Sequence, residues 1–504
     1  VTAVSAFARI VGSARTSRRD DAVADPAALM VSMARAALAD AGLADASLVD
    51  AVACVEPVAW TYADLAGVVV AGLGCRSDVA RLGVPAGGTS PQDLLHRVAA
   101  DPTIGCAVIV AAEAVRARRR AAPGTPPGWP PRDRSVDPFA GQAPFSSPLE
   151  QRHGLVAPIQ AFPLYENAIR AAHGRSFDEQ RTIAADLLAR NARVAADDPH
   201  AWFRDAPDAG TIAAVTPDNR MIAYPYTKRM NAIIDVNQAA AVVVVSERFA
   251  RDHGLRSDAM VVLGGAGAVD AWNPVERQTF RESPAMNHAV RIALQRAGID
   301  AADIDAADLY SCFPSAIQLG LTALGTGPDD SRPLSLTGGL AFAGGPGNGY
   351  VVQSLAAALD HVRRHPTHRV LVTGIGMANA KQTATVLAHA GHVPTGATGE
   401  TTYREPFEAE VREVDPEPSG EATIVTYTIT YGRNGEPTEV ILILDLPDGR
   451  RTVANASDTD VLAAQLMASE PIGRTGVVRH DASSGRNRFA FAGVGSPAGH
   501  DAPA

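Results

Sequence analysis

The stretch Ser335 to Ser354, SLTGGLAFAGGPGNGYVVQS, limits what this chain can fold into more than any other. Six of the twelve residues from Gly338 to Gly349 are glycine, and Pro346 sits among them. Glycine at that density lets the backbone take positive φ and approach a neighbour closely. From Tyr350 the pattern changes: Val351, Val352, Leu355, Leu359 and Val362 mark one face of a helix. A glycine-rich loop thus delivers the chain to a helix N-terminus, where unpaired N–H groups and the macrodipole favour an anion or oxyanion. The same glycines serve equally well to let two layers pack closely, so the loop alone does not decide between binding and packing.

The flanking blocks add a direction. Upstream lies Asp308-Leu-Tyr-Ser-Cys-Phe-Pro314, after a strand-like run; downstream, Arg369-Val-Leu-Val-Thr-Gly-Ile-Gly376 reads as a strand ending in a Gly-x-Gly turn. In order and spacing these blocks resemble the C-terminal half of a thiolase, in the branch linked to sterol carrier proteins. That branch reads His-Asp-Cys-Phe before the loop and Gly-Gly-x-x-x-x-Gly-His-Pro within it. The resemblance implies an α/β thiolase fold, two similar halves in five layers (α-β-α-β-α).

Composition sets the bounds. A chain of 504 residues is too long for one ordinary core, so two or three domains are expected. A formal charge of −10 argues against nucleic acid or an anionic membrane as a partner. A local basic patch stays open: Arg474, Arg479, Arg486 and Arg488 cluster near the end of the chain and either meet nucleic acid or form a solvated face, the reading that the acidic total favours. No apolar run approaches the roughly 20 residues that span a bilayer, and arginines and aspartates interrupt any signal-peptide core by Arg15 to Asp21. Cys54, Cys75, Cys106 and Cys312 show no CxxC or Cys/His spacing, which predicts free thiols in a reducing cytoplasm and no metal site.

Taken in order, residues 1–118 read as the first part of an N-terminal half. Val1 to Gly12 is a predicted strand, Pro26 opens a helix that stops at Ala41-Gly42, and Ala51 to Val55 and Gly67 to Gly72 are predicted strands. Thr103 to Val110 is a continuous apolar strand and Ala111 to Arg120 a helix. Strands alternating with helices imply a buried parallel sheet. Residues 119–228 begin proline-rich (Arg119 to Pro158), where thiolases insert a loop domain over the substrate. Tyr165 to Ala196 follows as a helical region broken at Gly174. Residues 229–410 restore the alternation, with Asp235 to Ser246 a strand that also serves to complete the first half. Met260 to Gly265 and Ala306 to Leu309 are strands, and Pro284 to Ala297 a helix. After the linker Pro416 to Gly420, residues 420–504 hold five short strands and one helix, which suggests a closed barrel of OB type. A barrel added there resembles the thiolase-like proteins of type 1 in actinobacteria, so the resemblance covers nearly the whole chain.

The family's chemistry needs a nucleophilic thiolate, a base beside it, an acid/base cysteine and donors for two oxyanions. The resemblance puts Gly87 where the nucleophile would stand, with Thr89 and Ser90 the nearest hydroxyls. It puts Tyr310 at the first histidine of His-Asp-Cys-Phe and Gly345 at the histidine of Gly-His-Pro. Cys312 survives as the candidate acid/base thiol, or as a pocket-lining thiol without a base to ionise it. The implied substrate contacts are Thr89, Ser90, Gly344, Pro346, Gly347, Asn348, Gly374 and Gly376. The expected ligand is a coenzyme A thioester that is not permanently bound. The expected function is acyl-CoA binding in the manner of an acetyl-CoA acetyltransferase, with thiolysis or Claisen condensation weak or absent. Two alternatives are an acyltransferase that uses Cys312 or a partner's acceptor, and a non-catalytic assembly subunit whose barrel docks a protein partner.

Overall fold

The computed structural model describes residues 7–20, 24–43, 45–121, 126, 128–255 and 258–491. The start of the predicted first strand (Val1), Pro127 of the covering segment and the end of the predicted last strand (Ala492) lie outside them. The first alternating run consists of β1 (Arg9–Ser17), α1 (Pro26–Asp40), β2 (Ala51–Cys54), α2 (Leu65–Leu73), β3 (Ala80–Leu82), α3 (Ser90–Ala100), β4 (Cys106–Ala114) and α4 (Val115–Arg120). The covering region holds α5 (Pro148–Arg152), α6 (Pro158–Ala172), α7 (Phe177–Asp197), α8 (Ala209–Ala213), β5 (Met221–Ala223) and β6 (Tyr226–Thr227). The second run is β7 (Asn237–Val245), α9 (Glu247–Asp252), β8 (Met260–Val269), α10 (Pro284–Ala297), β9 (Ala306–Asp308), α11 (Pro314–Ala323), α12 (Tyr350–Arg364), β10 (Arg369–Gly376), β11 (Lys381–His389) and β12 (Thr401–Thr402).

The strands order as β3-β2-β4-β7-β1-β8-β11-β10-β9, with β12 beside β8. Among the described residues the ladder between the β1 side and the β8 side is short, with the pairs Arg9–Val261 and Ile10–Met260 and a bond from the Val262 N–H to the Ala8 carbonyl, so the sheet works as two halves. Side chains alternate across it. Val52, Cys54, Val108 and Val110 face α1 and α2, whereas Ala51, Ala53, Ala107 and Ile109 face the interior. Helices α3 and α12 lie between the halves, and α10 covers the far side. That is the five-layered arrangement the resemblance implies.

The predicted parallel sheet is mixed: parallel pairing is confined to β3-β2-β4, β9–β10 and β8–β12, and β4–β7, β7–β1, β1–β8, β8–β11 and β11–β10 are antiparallel. Three local expectations also need correction. Gly67 to Gly72 is not a strand but the body of α2, capped by Asp64 at its start and by Gly74 in the left-handed region at its end. A short valine-rich run carries no period that separates helix from strand; the caps were the usable signal. The first strand does not stop at Gly12 but runs to Ser17, with a register shift at that glycine. A Cβ there would stand 2.3 Å from the Ala37 carbonyl oxygen, so the glycine permits α1 to approach. Ala111 to Ala114 continues β4, held by the ladder to β7 out to Ala114–Asn237, and the helix starts only at Val115.

Five further strands and a helix, β13 (Ser419–Tyr431), β14 (Pro437–Asp445), β15 (Arg451–Ala456), α13 (Thr459–Ala468), β16 (Thr475–Asp481) and β17 (Arg486–Ala490), close into a barrel ordered β13-β14-β15-β17-β16-β13. All neighbours are antiparallel except β15 and β17. This is the OB arrangement expected from the sequence, and closure leaves no free sheet edge except where β5 extends β13 at Thr430–Ala223. The barrel leans on the covering region: Ile441, Ile443 and Val453 pack with Leu164, Tyr165 and Ala168 of α6.

Candidate functional site

A cavity of about 560 Å³ opens between the two halves beneath the covering segment. Its floor comes from loops distant in sequence: Gly87 and Gly88 before α3, Tyr310 and Cys312 between β9 and α11, Gly347 and Asn348 entering α12, and Ile375 and Met377 at and beyond the end of β10. Its roof is Asp137, Phe139, Gln142 to Phe145, Val156 to Pro158 and Phe162 of the covering region. The lining is mostly apolar and carries no histidine.

The turn before α3 is built around small residues. A Cβ at Gly88 would stand 2.2 Å from the Ile375 carbonyl oxygen and 2.4 Å from the Tyr310 hydroxyl, so only glycine fits. At Gly87 the nearest atom to a Cβ would be Lys381 Nζ, at 3.2 Å. Lys381 is buried, and its ammonium donates to the carbonyls of Pro85 (3.1 Å) and Ala86 (3.4 Å) and to Gln142 Oε1 (3.2 Å). It therefore ties the turn to the roof. Burial lowers its pKa, and the charge of Asp93 opposes that. Asp93 is itself pushed up to about 6 by burial, against the Lys381 charge and a 2.8 Å bond from Thr89 Oγ1.

The thiol of Cys312 is raised by burial, with backbone N–H groups of Phe313 and of Cys312 acting the other way; it stays protonated at neutral pH. Burial and the neighbouring Cys312 likewise push the Tyr310 hydroxyl up. The Tyr310 ring meets Tyr350 edge to face at 5.7 Å.

The glycine loop is held from beneath by one buried carboxylate. Asp308 accepts from the backbone N–H of Leu336 (2.7 Å) and Thr337 (3.2 Å) and from the hydroxyls of Ser335, Thr337, Tyr350 and Ser354. Close packing explains most of the glycines. A Cβ would meet the Asn191 amide at Gly339 (2.6 Å), the Gln238 amide oxygen at Gly344 (2.3 Å) and Glu113 Oε1 at Gly347 (2.5 Å).

Of the residues predicted from sequence, the cavity brings together Gly87, Tyr310, Cys312, Gly347 and Asn348. The others lie outside its lining. Thr89 and Ser90 are buried and bond within their own turn, to Asp93 and to the Pro85 carbonyl. Gly344 abuts Gln238, and a Cβ at Gly345 would face Ile233 and Leu340; Pro346 stands between Gly345 and the lining Gly347. Gly374 lies under Gln92 and Thr383, and Gly376 against Lys381. The packing use of glycine thus governs 344, 345, 374 and 376.

Sequence reasoning missed Lys381, Asp93, Asp308 and Glu113 as charged groups around the site. Glu113 is buried in β4, pushed up to about 7 by burial against bonds from the N–H groups of Val58 and Ala59. A carboxylate inside the apolar run Cys106–Ala114 was the readable sign. Among the described residues no group of histidine, cysteine and acid side chains is placed to hold a metal, and no helix is long and apolar enough to cross a membrane. All four cysteines are free.

Residues 407–483 match the family model described as the thiolase-like protein type 1 additional C-terminal domain. A solved structure, the monomeric SCP2-thiolase like protein type 1 (STLP1) from Mycobacterium smegmatis, is 28% identical with a TM-score of 0.79, over 96% of this chain and 99% of that one. The Ltp2-ChsH2(DUF35) aldolase (20% identity, TM-score 0.58) and the acetyl-CoA acetyltransferase from Syntrophomonas wolfei (16%, 0.55) each match 76% of this chain and nearly all of theirs, and share the fold. Sterol carrier protein 2 of Rattus norvegicus is 23% identical over 194 residues, which span 36% of this chain and about a third (34%) of that protein.

The chain therefore has the thiolase fold, a mixed α/β body to which a closed five-stranded barrel is added. Within that class, residues 407–483 match the additional C-terminal domain of thiolase-like protein type 1, and the chain as a whole is similar to a solved protein of that type.

Proposed function

We propose that the cavity binds the acyl-thioester end of an acyl-CoA without thiolase turnover. The observation that carries this is the meeting of Gly87 and Cys312 in one mostly apolar cavity where Tyr310 and Cys312 on the floor are both held protonated, and the one carboxyl among the lining residues, Asp137, lies in the covering segment. A cavity of this size and lining suits an apolar acyl chain and part of its thioester arm. It offers no thiolate and no imidazole to start acyl transfer. The N-terminus of α12, reached through Gly347 and Asn348, supplies backbone donors for the thioester oxygen.

Titration calorimetry of the full chain with acetyl-CoA and longer acyl-CoAs tests binding, and intact-mass spectrometry of the same mixtures tests transfer. We expect saturable binding that Phe139→Trp, which fills the roof, weakens at least tenfold, with no covalent adduct and no acetoacetyl-CoA thiolysis above background. Acylated Cys312 would instead establish the acyltransferase reading. The assembly-subunit reading, with the barrel docking a protein partner, draws on the two-component aldolase that shares the fold. Co-purification of a stoichiometric partner that is lost when the barrel surface is altered, together with no acyl-CoA binding, would favour it.

A further inference from the structure

A second cavity, of about 940 Å³, lies at the other end of α6 from the first. Phe162 lines one and Arg170 the other, roughly 12 Å apart along the helix axis at 1.5 Å per residue. Three parts of the molecule wall it: the turn between α6 and α7, the loop of residues 278–281, and the strands β13 to β15 of the barrel. It exists only with the barrel seated.

Its charges do not balance internally. Arg170 is neutralised by Glu470 in a two-pronged pair, and Arg451 by Asp445 at 2.7 and 3.1 Å. Three more arginines line the same space. Arg175 donates only to the neutral Gln180 amide oxygen at 2.9 Å. Arg281 and Arg412 make no side-chain hydrogen bond or ion pair among the described residues, and Arg412 Nε is buried without a partner. Against these stands one further acid, Glu179, whose carboxylate accepts from the Ser176 N–H at 2.7 Å to cap α7. Two net positive charges therefore converge on a walled space, with the guanidinium donors of Arg281 and Arg412 unused and those of Arg175 only partly used. A guanidinium presents a planar fork of donors that matches phosphate oxygens, and an unpaired one in a concave site is held there at a cost in repulsion.

We propose that this cavity is a binding site for a diphosphate or longer phosphate anion, held by Arg175, Arg281 and Arg412. The shared chemistry has two sources, a free oligophosphate or the diphosphate of coenzyme A. Because the barrel forms one wall, the bound anion would also hold the barrel against the body, by mass action on the seated state.

Titration of the full chain with pyrophosphate, against sulfate at matched ionic strength, provides the test. We expect saturable pyrophosphate binding that the double variant Arg281→Gln, Arg412→Gln weakens at least tenfold. Without ligand, the variant should melt at the same or a somewhat higher temperature, because neither side chain has a partner to lose and like-charge repulsion is relieved. Displacement of pyrophosphate by coenzyme A but not by pantetheine would identify the cofactor's diphosphate as the source; no displacement would identify a free oligophosphate. Phe139→Trp in the first cavity should leave pyrophosphate binding unchanged, which separates this site from the acyl-binding proposal. Absence of saturable binding, or equal binding by the double variant, overturns the assignment.

Discussion

The cavity floor and the joint between barrel and covering region are both buried, yet they are built from opposite materials. On the floor, Gly87 stands where the sequence resemblance puts a nucleophile, and the hydroxyl of Tyr310 and the thiol of Cys312 are held neutral. At the joint, several polar side chains bridge the barrel and the body. Arg451 pairs with Asp445 and donates to the Arg277 carbonyl; Asn167 donates to the Tyr427 carbonyl at 2.9 Å; Asn455 donates to the His153 carbonyl at 3.0 Å. His153 is buried with both ring nitrogens used: Nδ1–H faces the Leu149 carbonyl at 2.7 Å and Nε2 accepts from the Asn487 N–H at 2.7 Å. The contrast teaches that this chain places its directional interactions where the added domain must be oriented. Directional groups fix one docking geometry, whereas an apolar cavity accepts a range of occupants.

The largest expected effects come from removing single charged anchors on either side of that contrast. Asp308→Ala leaves two N–H groups and several hydroxyls unpaired under the glycine loop, and should destabilise the body by about 3–5 kcal/mol in urea unfolding. Arg451→Ala strands Asp445 and the Arg277 carbonyl and should cost a similar amount, but with the barrel released first. Limited proteolysis would show cleavage near Pro416 to Gly420 before the body is cut. If Arg451→Ala unfolds body and barrel in one step, the joint is not a separate unit of stability.

Glycine substitutions should come next. Gly88→Ala must displace the Ile375 carbonyl or the Tyr310 ring, and should destabilise by about 1–3 kcal/mol. Gly87→Ala meets only the end of the flexible Lys381 side chain, and its cost should be smaller, about 1 kcal/mol, from backbone strain at φ +156°. Equal melting temperatures for the two variants would contradict the packing described for this turn.

A pH effect separates the two regions. Burial lowers the pKa of His153 from 6.5 to about 4 in the folded protein. The unfolded chain therefore binds the extra proton first, and stability falls as pH drops from about 6.5 through 4. Protonation at Nε2 also breaks its bond from the Asn487 N–H. His153→Gln should remove one part of this slope, another part coming from His96 of α3, which burial lowers to about 3, and amide exchange should show acid loosening at the joint in the wild type that the variant lacks.

The smallest expected effect is chemical. Gly87→Cys places a thiol beside the Lys381 ammonium, so its alkylation by iodoacetamide should begin at a lower pH than that of Cys312. Identical pH profiles for the two thiols would mean that Lys381 does not reach the introduced side chain.

Local pattern was enough to read the helix that begins at Tyr350, the strand Arg369–Gly376, and the five barrel strands with their single helix, because caps, turns and periodicity act over a few residues. The order of the motifs was also enough to bring Gly87 and Cys312 to one cavity across more than 200 residues of chain. What the sequence left open depends on which surfaces meet. Gly345 lies against Ile233 outside the cavity lining, and Gly344, Gly374 and Gly376 stand against neighbouring side chains. Lys381 and Asp308 look like ordinary strand residues until α3, the roof and the glycine loop close over them, from 27 to 296 positions away. A side chain's charge state and hydrogen-bond partners are set by that enclosure, and only tertiary packing decides it.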